Sequence, residues 1–188
     1  MPPRLKVTRD AIVSAALDIV RENGENALNA RAIASRLNCS TQPIFSNFAS
    51  MEELDRAVIE AAYERYWLFL EDEVKSDKYP KYKAFGMAYI RFAREERELF
   101  RLLFMRDRTG EDTSPSADFE EAVRMIMSSN GTTKEQASLI HLELWTCVHG
   151  IAVMGATAFL SLDTELISRV LSDVYLGVRA KHLAAAQG

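Results

Sequence analysis

Residues Asn29 to Leu54 read N-A-R-A-I-A-S-R-L-N-C-S-T-Q-P-I-F-S-N-F-A-S-M-E-E-L, which predicts two short helices joined by a tight turn. Asn29 is a good helix N-cap, because its side-chain oxygen can accept from the free amides of a helix running from Ala30 to Leu37. The apolar residues of that helix share one face. Asn38 can adopt the left-handed conformation that stops it.

A second, smaller helix follows this turn. Ser40 or Thr41 can cap it, and Pro43 sits in its first turn, where a missing amide costs nothing. Ile44 and Phe48 form its buried side. Its outward side chains are short polar groups beside one aromatic, which suit a DNA groove, although an exposed surface helix with an incidental Pro and Phe is the alternative reading. The outward set is Thr41, Gln42, Pro43, Phe45, Ser46 and Asn47.

A third helix precedes this pair. Thr8 caps it, apolar residues recur on one side from Ile12 to Val20, and Asn23-Gly24 ends it. The N-terminus therefore predicts a three-helix unit that contains a helix-turn-helix.

The chain resembles the TetR (tetracycline-repressor type) family of transcriptional regulators. The matching motifs are an E-N-G stop, A-I-A-x-x-L, a turn with Ser, an I-F-x-x-F second helix and S-x-E-E-L. They lie at Glu22–Gly24, Ala32–Leu37, Ser40, Ile44–Phe48 and Ser50–Leu54. The resemblance implies a homodimeric DNA-binding regulator, most simply a repressor released from a palindromic operator by a small-molecule ligand.

Three positions depart from the family pattern. Phe45 stands where most members place a Tyr, Met51 replaces a common Lys, and Gln42 replaces a frequent Gly. We therefore expect DNA contact to depend on backbone amides at helix N-termini and on Arg4, Lys6 and Arg9, with Gln42 able to read an adenine edge. The predicted DNA-binding set is Arg31, Ser40, Thr41, Gln42, Pro43, Phe45, Ser46 and Asn47.

Composition agrees with a basic DNA-reading end and an acidic body. Residues 1–50 hold six Lys/Arg against four Asp/Glu, whereas the whole chain carries a formal charge of −4. An unspecialised helical protein can show the same imbalance by chance. Cys39 and Cys147 do not suggest a disulfide framework. No leader is evident, and no run approaches the roughly 18 uncharged apolar residues of a membrane span, so we expect a cytoplasmic protein without membrane contact.

The remainder reads as helix after helix, which predicts an all-α fold of about nine helices. We expect a DNA-binding domain over residues 1–50, with the helix-turn-helix at about 29–48, and a ligand-binding and dimerisation domain over 51–188. A long helix should connect them from Met51 to about Lys75. The later helices are predicted at Ala84–Arg94, Arg97–Met105, Ala117–Ser129, Thr132 or Thr133 to about Leu160, and Asp163 to about Ala186, with a loop at Arg106–Ser116.

The predicted body is rich in aromatic and thioether side chains. Such groups can line a cavity for an unknown small apolar or aromatic ligand, although ordinary core packing explains most of them equally well. Leu144 to Ile151 resembles the W-x-x-x-H-G motif of one TetR subgroup, as does the run from Glu98 to Phe104. His149 is then either structural or ligand-facing, with Trp145 one turn away and packed over it. The predicted ligand set is Trp67, Phe85, Tyr89, Phe104, Met125, Trp145 and His149.

The last two predicted helices carry small or branched residues along one side, which we expect to bury against an identical pair in a homodimer. These residues are Ala152, Gly155, Ala156, Ala158, Ile167, Val170, Leu171, Val174 and Val178. A two-fold dimer matches a palindromic operator with half-sites roughly 34 Å or more apart.

An enzyme and a purely structural adaptor are the alternatives from other classes. The sequence has no G-x-S-x-G, no H-E-x-x-H, no metal-spaced cysteines and no glycine-rich phosphate loop, so we expect no catalytic residue, metal or cofactor. An enzyme would turn over a substrate, whereas a regulator should show salt-sensitive DNA binding that a small molecule releases.

Overall fold

The computed structural model describes residues 7–110 and 117–184, and within these ranges the regular structure is entirely helical, with nine α-helices and one short 3-10 turn. The all-α fold is therefore confirmed. Arg4 and Lys6, predicted to reach DNA, lie outside the described residues, as does most of the predicted loop at Arg106–Ser116. The chain divides into two compact units, one joining the residues up to Leu68 with Glu96–Arg106, the other joining Phe69–Glu95 with the residues from Asp107 on.

The first unit contains the predicted three-helix head. Thr8 Oγ1 accepts from the Ala11 amide at 3.2 Å, and Asn29 Oδ1 accepts from the Ala32 amide at 2.9 Å, so both predicted N-caps are formed. Gly24 (φ 81°) and Asn38 (φ 51°) take the left-handed conformations that end the first two helices. The helices of this unit are α1 (Arg9–Asn23), α2 (Ala30–Arg36), α3 (Gln42–Asn47), the larger part of α4 (Met51–Lys75) and α6 (Arg97–Phe104).

The core of the first unit is formed by the faces that helical periodicity predicts. Ile44 and Phe48 turn inward from the end of the helix-turn-helix and are 1% and 2% exposed. The other large buried side chains of this unit are Ile12, Ile19, Ile33, Leu54, Val58, Leu99, Phe100 and Leu103. Burial of this many apolar groups fixes α3 so that its opposite side must face outward.

The second unit is a helical bundle. A full capping box starts α8, in which Thr133 Oγ1 accepts from the Gln136 amide and Gln136 Oε1 accepts from the Thr133 amide. Asp163 Oδ1 caps α9 by accepting from the Leu166 amide at 2.7 Å. The helices of this unit are α5 (Lys81–Glu95), α7 (Ala117–Asn130), α8 (Lys134–Ala156) and α9 (Thr164–Ala184), and their shared core includes Val123, Ile126, Ala137, Ile140 and Leu144.

Two details of the sequence prediction were wrong. α8 ends at Ala156 rather than near Leu160, because Ala158 takes a positive φ of 56° and the amides of Phe159 and Leu160 turn back to the Met154 carbonyl. Thr41 occupies the N-cap position of α3 but makes no side-chain capping bond, because its backbone is already helical.

Four of the nine residues assigned to the dimer contact are buried within their own chain, so the assignment was wrong for those four, whereas Ala158 is exposed and the other four are half-buried. Ala152 and Ala156 are fully buried, and Ile167 and Leu171 are 2% and 7% exposed. Helical periodicity shows that a face is covered but not whether the same chain or a second copy covers it. The exposed apolar side chains of the two helices are others, namely Leu139, Leu142, Trp145 and Leu176.

α8 is also the helix that, among the described residues, is long and apolar enough to cross a membrane by length and composition. The sequence had led us to expect no such segment. Core helices of water-soluble proteins meet the same criterion, and α8 buries Ile140, Leu144 and Ile151 against neighbouring helices.

Candidate nucleic-acid interface

The outer side of α3 is the exposed part of the helix-turn-helix. Gln42, Phe45 and Ser46 are exposed, with Phe45 at 54%, and Thr41 and Pro43 are half-buried beside them. Ser40 in the turn and Arg31 on α2 are exposed as well. Asn47 is half-buried too, so the exposed members of the predicted outward set are Gln42, Phe45 and Ser46, whereas Ile44 and Phe48 are buried on the other side.

Two of these side chains already make local hydrogen bonds. Ser46 Oγ donates to the Gln42 carbonyl at 2.9 Å, and Asn47 Nδ2 donates to the Pro43 carbonyl at 2.7 Å. Both bonds stabilise the short α3, whose six residues could not hold a helix alone. Gln42 and Phe45 are therefore the large side chains of α3 that project most directly outward.

Arg9, expected to contact DNA, instead contacts the end of α3. Its guanidinium donates to the Asn47 carbonyl and to Glu53 Oε1, both at 2.9 Å, and its Cζ lies 4.0 Å from the centre of the Phe48 ring. Glu53 Oε2 in turn accepts from the Ala49 amide at 2.8 Å. Sequence analysis missed this role, since residues about 40 positions apart leave no periodic signal.

A second ion network in the first unit surrounds Glu96. Arg21 Nε and Nη2 donate to its two carboxylate oxygens at 2.8 and 2.7 Å, and Arg65 donates to Oε1 at 2.9 Å. Glu96 is 6% exposed. Burial alone would raise the pKa of Glu96, but the hydrogen bonds from Arg21 and Arg65 outweigh it and leave that pKa below its ordinary value. The network ties α1, α4 and the start of α6 together.

The sequence and fold of the chain are similar to those of known regulators. Residues 82–174 match the family model of the tetracyclin repressor-like C-terminal domain. The chain belongs to the TetR family. It is 25% identical over 181 residues, 93% of this chain and 81% of the relative, to an uncharacterized HTH-type transcriptional regulator from Mycobacterium tuberculosis.

Solved structures share the fold of this TetR-family chain. A protein of unknown function from Rhodococcus sp. RHA1 superimposes with a TM-score of 0.74 at 21% identity, over 94% of this chain and 97% of the other. A TetR-like transcriptional regulator from Rhodococcus sp. RHA1 superimposes with a TM-score of 0.65 at 16% sequence identity, over 94% of this chain and 96% of the other. A TetR-family member from Streptomyces coelicolor A3 superimposes with a TM-score of 0.63 at 18% sequence identity, over 88% of this chain and 96% of the other.

The family assignment fixes the coarse function. The chain is a DNA-binding transcriptional regulator, and TetR-type regulators bind operator DNA and act as dimers. Its relatives are regulators, a class of non-enzymes. Membership of the W-x-x-x-H-G subgroup stays a prediction, as do the individual DNA-binding and ligand-binding residues.

Two of the seven predicted ligand residues belong to the first unit. Phe104 is half-buried and packs edge-on against Tyr66 with ring centres 5.4 Å apart, and it also contacts Tyr63 and Phe100. Trp67 is 39% exposed and lies 6.1 Å from the Tyr66 ring. Tyr66 and Phe100 are buried in the interior of the unit, whereas Trp67 lies at its surface.

The other five belong to the second unit, and three of them are in direct contact. Tyr89 on α5 is buried and its hydroxyl hydrogen-bonds His149 Nδ1 at 2.8 Å. Trp145 stacks on the His149 ring at 4.9 Å with an interplanar angle of 14° and is itself 43% exposed. Phe85 and Met125 are half-buried on α5 and α7.

This arrangement confirms the predicted stacking of Trp145 over His149. Burial lowers the pKa of His149, so the ring is held neutral near pH 7. A second pair repeats the pattern nearer the start of the same two helices, where the Tyr82 hydroxyl bonds His141 Nδ1 at 2.9 Å. Burial lowers the pKa of His141 too. Both histidines thus join α5 to α8, a structural role that leaves a ligand-facing role open for the exposed Trp145.

Proposed function

We propose that the chain is a homodimeric repressor whose two copies of α3 read a palindromic operator and which a small flat apolar or aromatic molecule releases. The observation that supports this most is the split character of α3, with Ile44 and Phe48 buried and Gln42 and Phe45 exposed. The buried residues anchor this six-residue helix in the core of the first unit and leave its other side accessible. Such a helix is suited to enter a major groove.

The proposed base-reading residue is Gln42. Its amide can donate to and accept from an adenine edge, and it opens α3, so the helix backbone can lie close to the duplex. Thr41, Ser46 and the backbone amides at the start of α3 would contact phosphates, and Phe45 would contact a thymine methyl group. Arg31 and Ser40 would add phosphate contacts from α2 and the turn.

The proposed dimer contact uses the exposed side of α8 and α9. Leu139, Leu142 and Gly150 fall at helical spacing on one side of α8, and the two leucines are 49% and 50% exposed. Leu176 and Gly177 lie on the exposed side of α9. This proposal keeps the two helices that the sequence suggested but moves the contact to their other faces.

The two glycines give independent support to a close approach. A Cβ added to Gly150 or Gly177 would meet no atom of the described chain within 4 Å, leaving aside the backbone of its own helix. Glycine inside a helix costs roughly 1 kcal/mol relative to alanine, and the chain's own packing does not require it at these positions. A second copy's helix lying against them would benefit from the missing side chains, and it would also cover the apolar side of α8.

The proposed ligand position is the Tyr89–His149–Trp145 group. Trp145 offers an exposed indole surface in line with a neutral imidazole, on which a flat molecule can stack. α4 is the proposed lever, because its residues up to Leu68 belong to the first unit and those from Phe69 to the second. A ligand that binds the non-operator arrangement of the dimer more tightly must weaken operator binding by the same coupling free energy. We place the protein in the cytoplasm, where its operator would be.

Selection of bound fragments from a random DNA pool tests the proposal. We expect an enriched sequence with two inverted half-sites whose centres lie about one helical turn (roughly 34 Å) or a multiple apart. Enrichment of a single asymmetric site, or no enrichment over a neutral pool, would contradict it. The repressor assignment then requires that a stacked aromatic compound lowers operator affinity rather than raising it.

A further inference from the structure

The end of α3 is held by a compact set of charged contacts outside its exposed face. Arg9, the first residue of α1, donates to the Asn47 carbonyl at the last position of α3 and to Glu53 in the first turn of α4, each at 2.9 Å. The guanidinium lies over Phe48, with its Cζ 4.0 Å from the ring centre. One cation thus joins its own helix, α1, to the end of α3 and to the start of α4.

Glu53 completes the set from the other side. Its Oε1 accepts from Arg9, and its Oε2 accepts from the Ala49 amide at 2.8 Å, in the link between α3 and α4. The Ser50 hydroxyl accepts from the Glu53 amide at 3.3 Å and caps α4. The carbonyl at the end of α3 and the amide after it are therefore both satisfied by the Arg9–Glu53 pair.

These contacts matter because α3 is too short to hold its own direction. Six residues form little more than one turn and a half, and isolated helices of that length are not stable in water. Ile44 and Phe48 anchor α3 by apolar contact, which is not directional. The hydrogen bonds at Asn47 and Ala49 are directional and fix the orientation of α3 within the head.

We propose that Arg9 and Glu53 are positioning residues for operator recognition, which set the direction of α3 and do not themselves contact DNA. Arg9 donates from a single nitrogen, Nη1, to both protein acceptors, and Glu53 brings a negative charge to the DNA-reading unit. That charge opposes DNA binding in general and is tolerated because it aligns α3. This inference rests on the proposed reading of DNA by the outer side of α3.

The sign of one substitution separates positioning from plain electrostatics. Glu53→Gln removes a negative charge, which by itself would tighten binding to any DNA. Positioning predicts the opposite for the selected operator, with an affinity about tenfold weaker, while affinity for a random duplex is unchanged or higher. The matched control is Glu52→Gln, an exposed neighbour in the same turn of α4, which should tighten binding to both duplexes alike.

Arg9→Lys and Arg9→Gln complete the test, with affinities measured across a salt series. A phosphate contact would keep most of its strength in the Lys variant, and the Gln variant would reduce the slope of log affinity against log salt by about 0.9. Positioning predicts that both variants lose operator discrimination, because neither side chain can place a guanidinium nitrogen between Asn47 and Glu53 while its Cζ contacts the Phe48 ring, and that the salt slope of both stays at the wild-type value.

Each outcome has a fixed meaning. Glu53→Gln behaving like Glu52→Gln, or a reduced salt slope in Arg9→Gln alone, overturns the positioning role. Should Glu53→Gln unfold the head, as circular dichroism would reveal, the charge-conserving Arg9→Lys variant decides by its operator-to-random affinity ratio. Gln42→Ala is measured in parallel. An unchanged ratio in that variant refutes the proposed reading face, whatever the Arg9 and Glu53 variants do.

Discussion

Arg21 on α1 and Glu96, the residue that precedes α6, are joined by two parallel hydrogen bonds of 2.8 and 2.7 Å. This bidentate geometry is the strongest arrangement available to an arginine and a carboxylate. Arg65 on α4 donates to the same carboxylate at 2.9 Å. A change in the angle of α4 or α6 must therefore stretch bonds that end on α1, the first helix of the DNA-binding head.

The Glu96 network should contribute measurably to stability. Glu96→Gln removes the charge that Arg21 and Arg65 share, and we expect the free energy of unfolding to fall by about 2 kcal/mol, since charged hydrogen bonds to a buried group are lost while both arginines stay partly solvated. Urea unfolding at pH 7 measures the change.

Glu71→Gln is the control for that measurement. Glu71 pairs with Lys75 on the surface of α4 at 2.9 Å, with side chains that are 59% and 75% exposed. Its loss should change stability by less than about 0.5 kcal/mol. Equal effects of the two substitutions would show that the Glu96 network has no special weight.

The proposed dimer contact predicts which leucines matter for association. Leu142→Glu and Leu176→Glu each place a charge on the exposed apolar side of α8 or α9, so we expect the dimer dissociation constant to rise at least tenfold, about 1.4 kcal/mol. Leu68→Glu is the matched control, because Leu68 is 58% exposed but lies on α4. Sedimentation equilibrium reports all three. A dimer that weakens only with Leu68→Glu would move the contact away from α8 and α9.

The two half-buried histidines predict that stability falls on mild acidification. Burial lowers the pKa values of His141 and His149 below the ordinary 6.5, so the unfolded chain takes up protons first as the pH falls. The free energy of unfolding should therefore decrease as the pH falls from about 7.5 to 5.5. Glu96 stays ionised over this range, because its pKa lies below the ordinary 4.5 of a glutamate. Urea unfolding at both pH values checks this. The same loss in the double variant His141→Gln/His149→Gln would assign it to other groups.

The Trp145 surface predicts where a ligand acts. A set of small aromatic compounds is screened by thermal shift, and those that stabilise the wild-type protein should fail with Trp145→Ala. The substitution itself should cost only about 1 kcal/mol, the loss of one stacked pair at a half-exposed side chain. Trp67→Ala is measured alongside, since Trp67 is comparably exposed but belongs to the first unit. Loss of the shift in Trp67→Ala with a normal response in Trp145→Ala would refute the assignment.

Local chemistry was readable from the sequence. The caps at Thr8, Asn29 and Thr133 and the left-handed stop at Asn38 use groups within four residues of the backbone that they satisfy, so short motifs specify them. The inward face of α3 followed from its periodicity. The predicted bounds of α4, Met51–Lys75, match the structure.

Long-range contacts could not be read in this way. Arg21 and Glu96 are 75 positions apart, and Arg9 and Glu53 are 44 apart, so neither pair leaves a periodic trace, and Arg9 was assigned to DNA on charge alone. The predicted dimer face was wrong for its four buried residues for a related reason. Small residues such as Ala152 and Ala156 mark close packing, but only the tertiary structure shows that the neighbour is the chain itself.

The most direct test of the account is the operator affinity of the double variant Gln42→Ala/Phe45→Ala, measured on the selected sequence and on a random duplex, with the dimer followed by sedimentation. We expect the dimer to persist and operator affinity to fall at least tenfold, toward the value for random DNA, because a lost base contact costs about 1–3 kcal/mol. Unchanged operator affinity in a folded dimer would contradict the central claim that the outer side of α3 reads DNA.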